Sequence, residues 1–155
     1  MTPPIELKTD IPIFDDRILL LKNDRAREGV MECGKKLAGY IPDPIGFVLV
    51  MTCIESDFGK KVNGRSGEIG IMQIYPYWLK QAGLSYANLK DDYTNICFAV
   101  DLLKDYFQKY NDVFLVIKAY NRGEKNLINK NHNTFYLKRF FECAEKVNWQ
   151  KIKFE

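Results

Sequence analysis

The sequence predicts an all-α domain, and three observations carry that prediction. Apolar residues recur at helical spacing through most of the chain, no segment shows convincing strand alternation, and no repeat, low-complexity tract or linker interrupts the pattern. At 155 residues, 46% hydrophobic and 28% charged, the chain is expected to form one domain over 1–155 with a core of its own.

The stretch FDDRILLLKNDRAREGVMECGKKLAGY supports one or two helices, with Ile18, Leu21, Val30, Met31, Cys33 and Leu37 facing inward. In PDPIGFVLVMTCIESDFG, Asp43 can cap a helix whose first position is Pro44, and Gly59 can end it. Residues 45–54 are apolar nearly all round, the mark of a buried central helix. Gly59, Gly64, Gly67 and Gly70 punctuate a loop over residues 59–72. A short helix follows Pro76. A long amphipathic helix runs through DDYTNICFAVDLLKDYFQKY and another through DVFLVIKAYN. The last covers TFYLKRFFECAEKV, with Phe135, Leu137, Phe140, Phe141 and Ala144 toward the core.

Composition narrows the function. A net charge of +3 is a mild basic excess, compatible with an anionic polymer such as cell wall, and no Arg/Lys-rich recognition helix marks a nucleic-acid binder. Cys33, Cys53, Cys97 and Cys143 are too far apart for a Cys-x-x-Cys site. Free thiols in a reducing compartment are expected, with Cys53 a small core hydrophobe and disulfide pairing left open. The single histidine, His132, lies in the loop-like string NKNHNT, and neither a metal nor a cofactor is expected. The amino terminus shows no secretory leader and no run approaches the ~20 apolar residues of a membrane span. The expectation is a monomer made in the cytoplasm that reaches its substrate by release from within or in a virion; a secreted domain is the alternative.

Three pieces of sequence carry chemistry. Glu55 stands in the last turn of the apolar helix, over Val48, Met51 and Thr52. An apolar surround and the helix dipole both raise a carboxyl pKa, as a general acid at neutral pH requires; the alternative is a glutamate that points into water. The glycine-rich loop lets a ligand approach the main chain, and Met72-Gln73 after it pairs an apolar contact with an amide suited to an N-acetyl sugar. In KAYNRG, Tyr120 can bring a hydroxyl to the acid, or it is a core tyrosine before an ordinary Asn/Gly helix stop.

In order, Glu55-Ser56-Asp57-Phe58, Gly67-Glu68-Ile69-Gly70-Ile71-Met72-Gln73-Ile74-Tyr75-Pro76, Asn95-Ile96 and Ala119-Tyr120-Asn121-Arg122-Gly123 resemble the soluble lytic transglycosylases over about residues 43–127. The resemblance implies a lysozyme-like helical fold that acts on peptidoglycan glycan strands, cleaving the β-1,4 bond between N-acetylmuramic acid and N-acetylglucosamine. It implies that Glu55 is the sole acid/base, assisted by the sugar's own 2-acetamido group, and that the product is a 1,6-anhydro sugar. Residues matching Gln73, Met72, Tyr120, Asn121 and Ser56 would bind the sugar or orient it and the acid.

The chain departs from the family pattern at three positions. Gly64 stands where many members carry a serine, Arg122 replaces a small residue, and Glu68 does the same thirteen positions after Glu55. Glu68 supports a second reading, a goose-type-like lysozyme in which it is the second acid and activates water. A third reading, of another class, is a non-catalytic glycan- or nucleic-acid-binding module using Tyr75, Tyr77 and Trp78.

Overall fold

A computed structural model describes residues 14–127 and 133–149. The described residues include seven α-helices: α1 Asp24–Cys33, α2 Pro44–Ser56, α3 Tyr77–Ala82, α4 Tyr86–Lys90, α5 Asp92–Lys109, α6 Val113–Arg122 and α7 Asn133–Val147. Short 3₁₀ turns cover Asp16–Leu20, Gly34–Leu37 and Glu124–Asn126. The all-α class is as the sequence predicts. The only strand-like features among the described residues are isolated bridges of Ile69 with Asn63 and Ile74.

Helix α2 is the hub. Phe47 to Cys53 are all fully buried, so the helix needs no polar face. Asp43 caps its first turn by accepting from the Gly46 N–H at 3.2 Å, with Pro44 following. Both Asp43 oxygens also accept from the Arg17 guanidinium, at 2.7 and 2.8 Å, and Asp15 holds the other side of the same fork. Helix α7 packs on α2, α1 on α5, and α5 on α6. The helix ends earlier than Gly59: Ser56 is its last residue, and Asp57 takes the left-handed conformation at φ 51°.

Other expectations change in detail. Tyr86–Lys90 forms a helix that the apolar pattern is too short to reveal, fixed by a reciprocal capping box of Ser85 and Asn88. Met31 is half-buried, and Leu137 and Phe141 are exposed. The buried stripe of α7 runs through Phe140, Cys143 and Val147, a face narrower than its apolar content suggests. His132 and the side chain of Phe135 lie outside the described residues.

The cysteines are the main correction. Instead of free thiols, Cys33 is bonded to Cys97 and Cys53 to Cys143. The first bridge ties α1 to α5, and the second ties α2 to α7. Partners separated by 64 and 90 residues leave no local spacing signal.

Candidate active site

The last turn of α2 presents Glu55 to the surface of the core, half-buried. Burial pushes its carboxyl up to about 8, and the negative charge of Glu68 acts the same way. A hydrogen bond from Asn121 and the positive charge of Arg139 oppose that rise without cancelling it. The Asn121 Nδ2–H donates to Glu55 Oε2 at 2.9 Å. Among the described residues this is the one hydrogen bond to the carboxyl. An acceptor role for Oε2 leaves the acidic proton to Oε1.

Beside Glu55, the segment 69–73 is held by three buried side chains. Ser56 donates to the Ile71 carbonyl at 2.6 Å and accepts from the Gly59 N–H at 2.9 Å. Asn95 accepts from the Met72 N–H at 2.9 Å and donates to the carbonyls of Ile69 and Leu89, at 2.9 and 2.8 Å. The Tyr120 hydroxyl donates to the Met72 carbonyl at 2.6 Å. A buried polar side chain persists when its hydrogen bonds are made, and these make them with loop backbone. Gly70 has φ 77°, and a Cβ there would stand 2.3 Å from Asn95 Nδ2. Only glycine fits so close to the peg.

This geometry places the expected site residues in two groups. Glu55 and Asn121 touch. Ser56, Met72 and Tyr120 lie behind the site: Met72 is fully buried, Ser56 nearly so, and the Tyr120 hydroxyl is on a loop carbonyl. Gln73 reaches the surface with its backbone left-handed at φ 51°, its amide donating to the carbonyls of Val62 and Gly70 at 2.8 and 3.0 Å. It borders a groove of about 400 Å³ lined also by Tyr75, Tyr77, Trp78, Tyr120 and Arg122. Two contributors escaped the sequence reading. The motifs include Asn95 and Tyr75, but nothing in the sequence marks Asn95 as the loop's peg, and Tyr75 stands out only as an aromatic of the binding-module reading. Its hydroxyl donates to the Asn121 carbonyl at 2.5 Å.

The departures at Gly64 and Glu68 prove to be linked. A Cβ at residue 64 would lie 2.6 Å from Gln73 Oε1 and 2.8 Å from both Cβ and Oε1 of Glu68. The Glu68 carboxylate is fixed there by accepting from the Ser66 N–H at 2.7 Å. Where Glu68 stands, a side chain at 64 has no room. Gly64→Ser is therefore expected to destabilise the protein by about 1–2 kcal/mol in thermal or denaturant melts, and Glu68→Ala in the same chain should relieve part of that, because the Cβ of residue 68 and Gln73 Oε1 remain. Equal losses with and without Glu68 would disprove the link.

The raised Glu55 carboxyl and the Asn121 amide that fixes one of its oxygens lie near Tyr75, which borders a groove with an aromatic wall. The transglycosylase SLT domain family matches residues 41–140, and the chain belongs to that family. At family level this means lytic transglycosylase-type cleavage of peptidoglycan glycan strands by a lysozyme-like all-α domain. Comparison with curated proteins and with solved structures returned no match.

Proposed function

We propose that this domain cleaves the bond between N-acetylmuramic acid and N-acetylglucosamine with Glu55 as its single acid and base, releasing a 1,6-anhydromuramoyl end. The observation that carries the reading is the Glu55 carboxyl at the end of α2, with one oxygen fixed by the Asn121 amide and its pKa pushed up to about 8 by burial. Glu55 Oε1 gives its proton to the glycosidic oxygen as the bond to C1 breaks. The 2-acetamido oxygen of the muramoyl unit closes on C1. The Glu55 carboxylate then takes the proton of the C6 hydroxyl, whose oxygen displaces the acetamido oxygen from C1. The proton that leaves Glu55 in the first step is replaced in the second. Such substrate assistance needs no second carboxylate. Asn121 orients the acid, Gln73, Tyr77 and Trp78 meet the sugar, and Ser56, Met72 and Tyr120 act through the loop they hold.

Glu68 sustains a second reading, because its charge reaches Glu55 and it could in principle activate water. Muropeptide mass spectrometry separates the two, since anhydro and hydrolysed products differ by one water. Under the proposal, wild type and Glu68→Gln both yield anhydro ends and the variant keeps most of its rate. Under hydrolysis, wild type yields reducing ends and Glu68→Gln loses roughly 10²–10⁴-fold. Two disulfides support a working place outside a reducing cytoplasm, whether the domain is released there or secreted.

A further inference from the structure

We propose that Tyr75 is a positioning residue for this reaction: its phenol fixes the end of α6, and thereby the Asn121 amide that orients the Glu55 carboxyl. The inference rests on Glu55 being the acid. Asn121 lies in the last turn of α6, where carbonyls have no partner further along the helix. The Gly123 N–H closes back on Ala119, and the Asn121 carbonyl receives the Tyr75 hydroxyl at 2.5 Å, at the short end of the range for such bonds. One residue thus accepts from Tyr75 through its backbone and donates to Glu55 through its side chain, at 2.9 Å.

Tyr75 can bear on Asn121 because its own backbone is fixed. Immediately before it, Ile69 and Ile74 exchange a pair of backbone hydrogen bonds at 2.8 and 2.9 Å, and Pro76 follows at the entry to α3. Its phenol therefore links the glycine-rich loop to the last turn of α6, across 46 residues of sequence. The charges around Tyr75 and Glu55 come from four elements. Glu68 in the loop and Arg139 on α7 act on Glu55, while Glu55, Glu68 and Arg122 act on Tyr75. Burial and the two acids raise the phenol's pKa, so it stays a donor across the pH range of the reaction. The competing role is a direct contact with sugar, since Tyr75 also borders the groove.

Tyr75→Phe removes the hydroxyl and keeps the ring. The expected result is a fall in kcat of about tenfold with KM changed less than about twofold. In carbon NMR of the Glu55 carboxyl without substrate, the titration midpoint should rise by about half a pH unit, because a looser Asn121 stabilises the carboxylate less. Asn121→Ala should lower kcat on its own, and adding Tyr75→Phe to it should cost less than about a further twofold. An unchanged kcat and titration in Tyr75→Phe would overturn the proposal. So would a raised KM that adds fully to the Asn121→Ala defect, the signature of a sugar contact. If Glu55 were not the acid, Glu55→Gln would stay active, whereas the Glu55 titration would still report whether Tyr75 acts on it.

Discussion

Glu55→Gln is expected to lower wall lysis by roughly 10³-fold or more while yielding a protein at least as stable as the wild type. Amide and carboxyl have the same shape, so the groove and the loop pegs are untouched. The stability effect has a definite sign. Burial raises the folded-state carboxyl from its ordinary value to about 8, so between about 4.5 and 8 the folded protein holds a proton that the unfolded chain releases. Stability from this group is therefore full at low pH and lost as pH rises through that window. Glutamine removes the penalty. Its advantage in denaturant melts should be small near pH 4 and grow by roughly 1.4 kcal/mol per pH unit through that window. Wild-type lysis should decline as pH passes about 8, where the acid form disappears. Near-normal lysis by folded Glu55→Gln would remove Glu55 from the chemistry, and a stability gain independent of pH would refute the account of its pKa.

The residues the sequence made legible are those whose role depends on near neighbours. Asp43 and Pro44 start α2 as their local chemistry dictates, and the nearly continuous apolar run over residues 45–54 marks it as buried. Glu55 could be singled out because two of the three helix positions around it, Val48 and Met51, are apolar. The roles of Ser56, Met72 and Tyr120 were less legible. Side chains that hold a loop and side chains that touch a sugar share the same motif, and only the tertiary pairings tell them apart: Ser56 with Ile71, Asn95 with Met72, Tyr120 with Met72. Tyr75 sits in a variable slot of the motif, and its partner lies 46 residues away. The disulfides were hidden for the same reason.

Those disulfides carry the second large expected effect, and the two bridges should differ in kind. In the chain-entropy account, closing loops of 64 and 90 residues stabilises the fold by about 4 kcal/mol each, a large share of the ~5–15 kcal/mol typical of a domain. Cys33→Ala/Cys97→Ala and Cys53→Ala/Cys143→Ala should each lower Tm by roughly 10 °C. Their effects on turnover should diverge. The Cys33–Cys97 bridge joins α1 to α5, neither of which carries the acid or its amide. Cys53 precedes Glu55 by two residues, and its carbonyl accepts from Arg139 of α7 at 2.7 Å, so this bridge and this hydrogen bond hold one turn of α2 against one turn of α7. Arg139 is also the cation that opposes the rise in the Glu55 pKa. Loosening α7 should weaken that cation's influence, move the alkaline limb of the rate profile upward and lower kcat well below the fully folded expectation. The first pair of substitutions should leave the profile in place at temperatures where the protein is folded. Equal catalytic losses from both pairs would show that the bridges act through global stability alone, and a Cys53→Ala/Cys143→Ala enzyme with an unaltered pH profile would detach α7 from the active site.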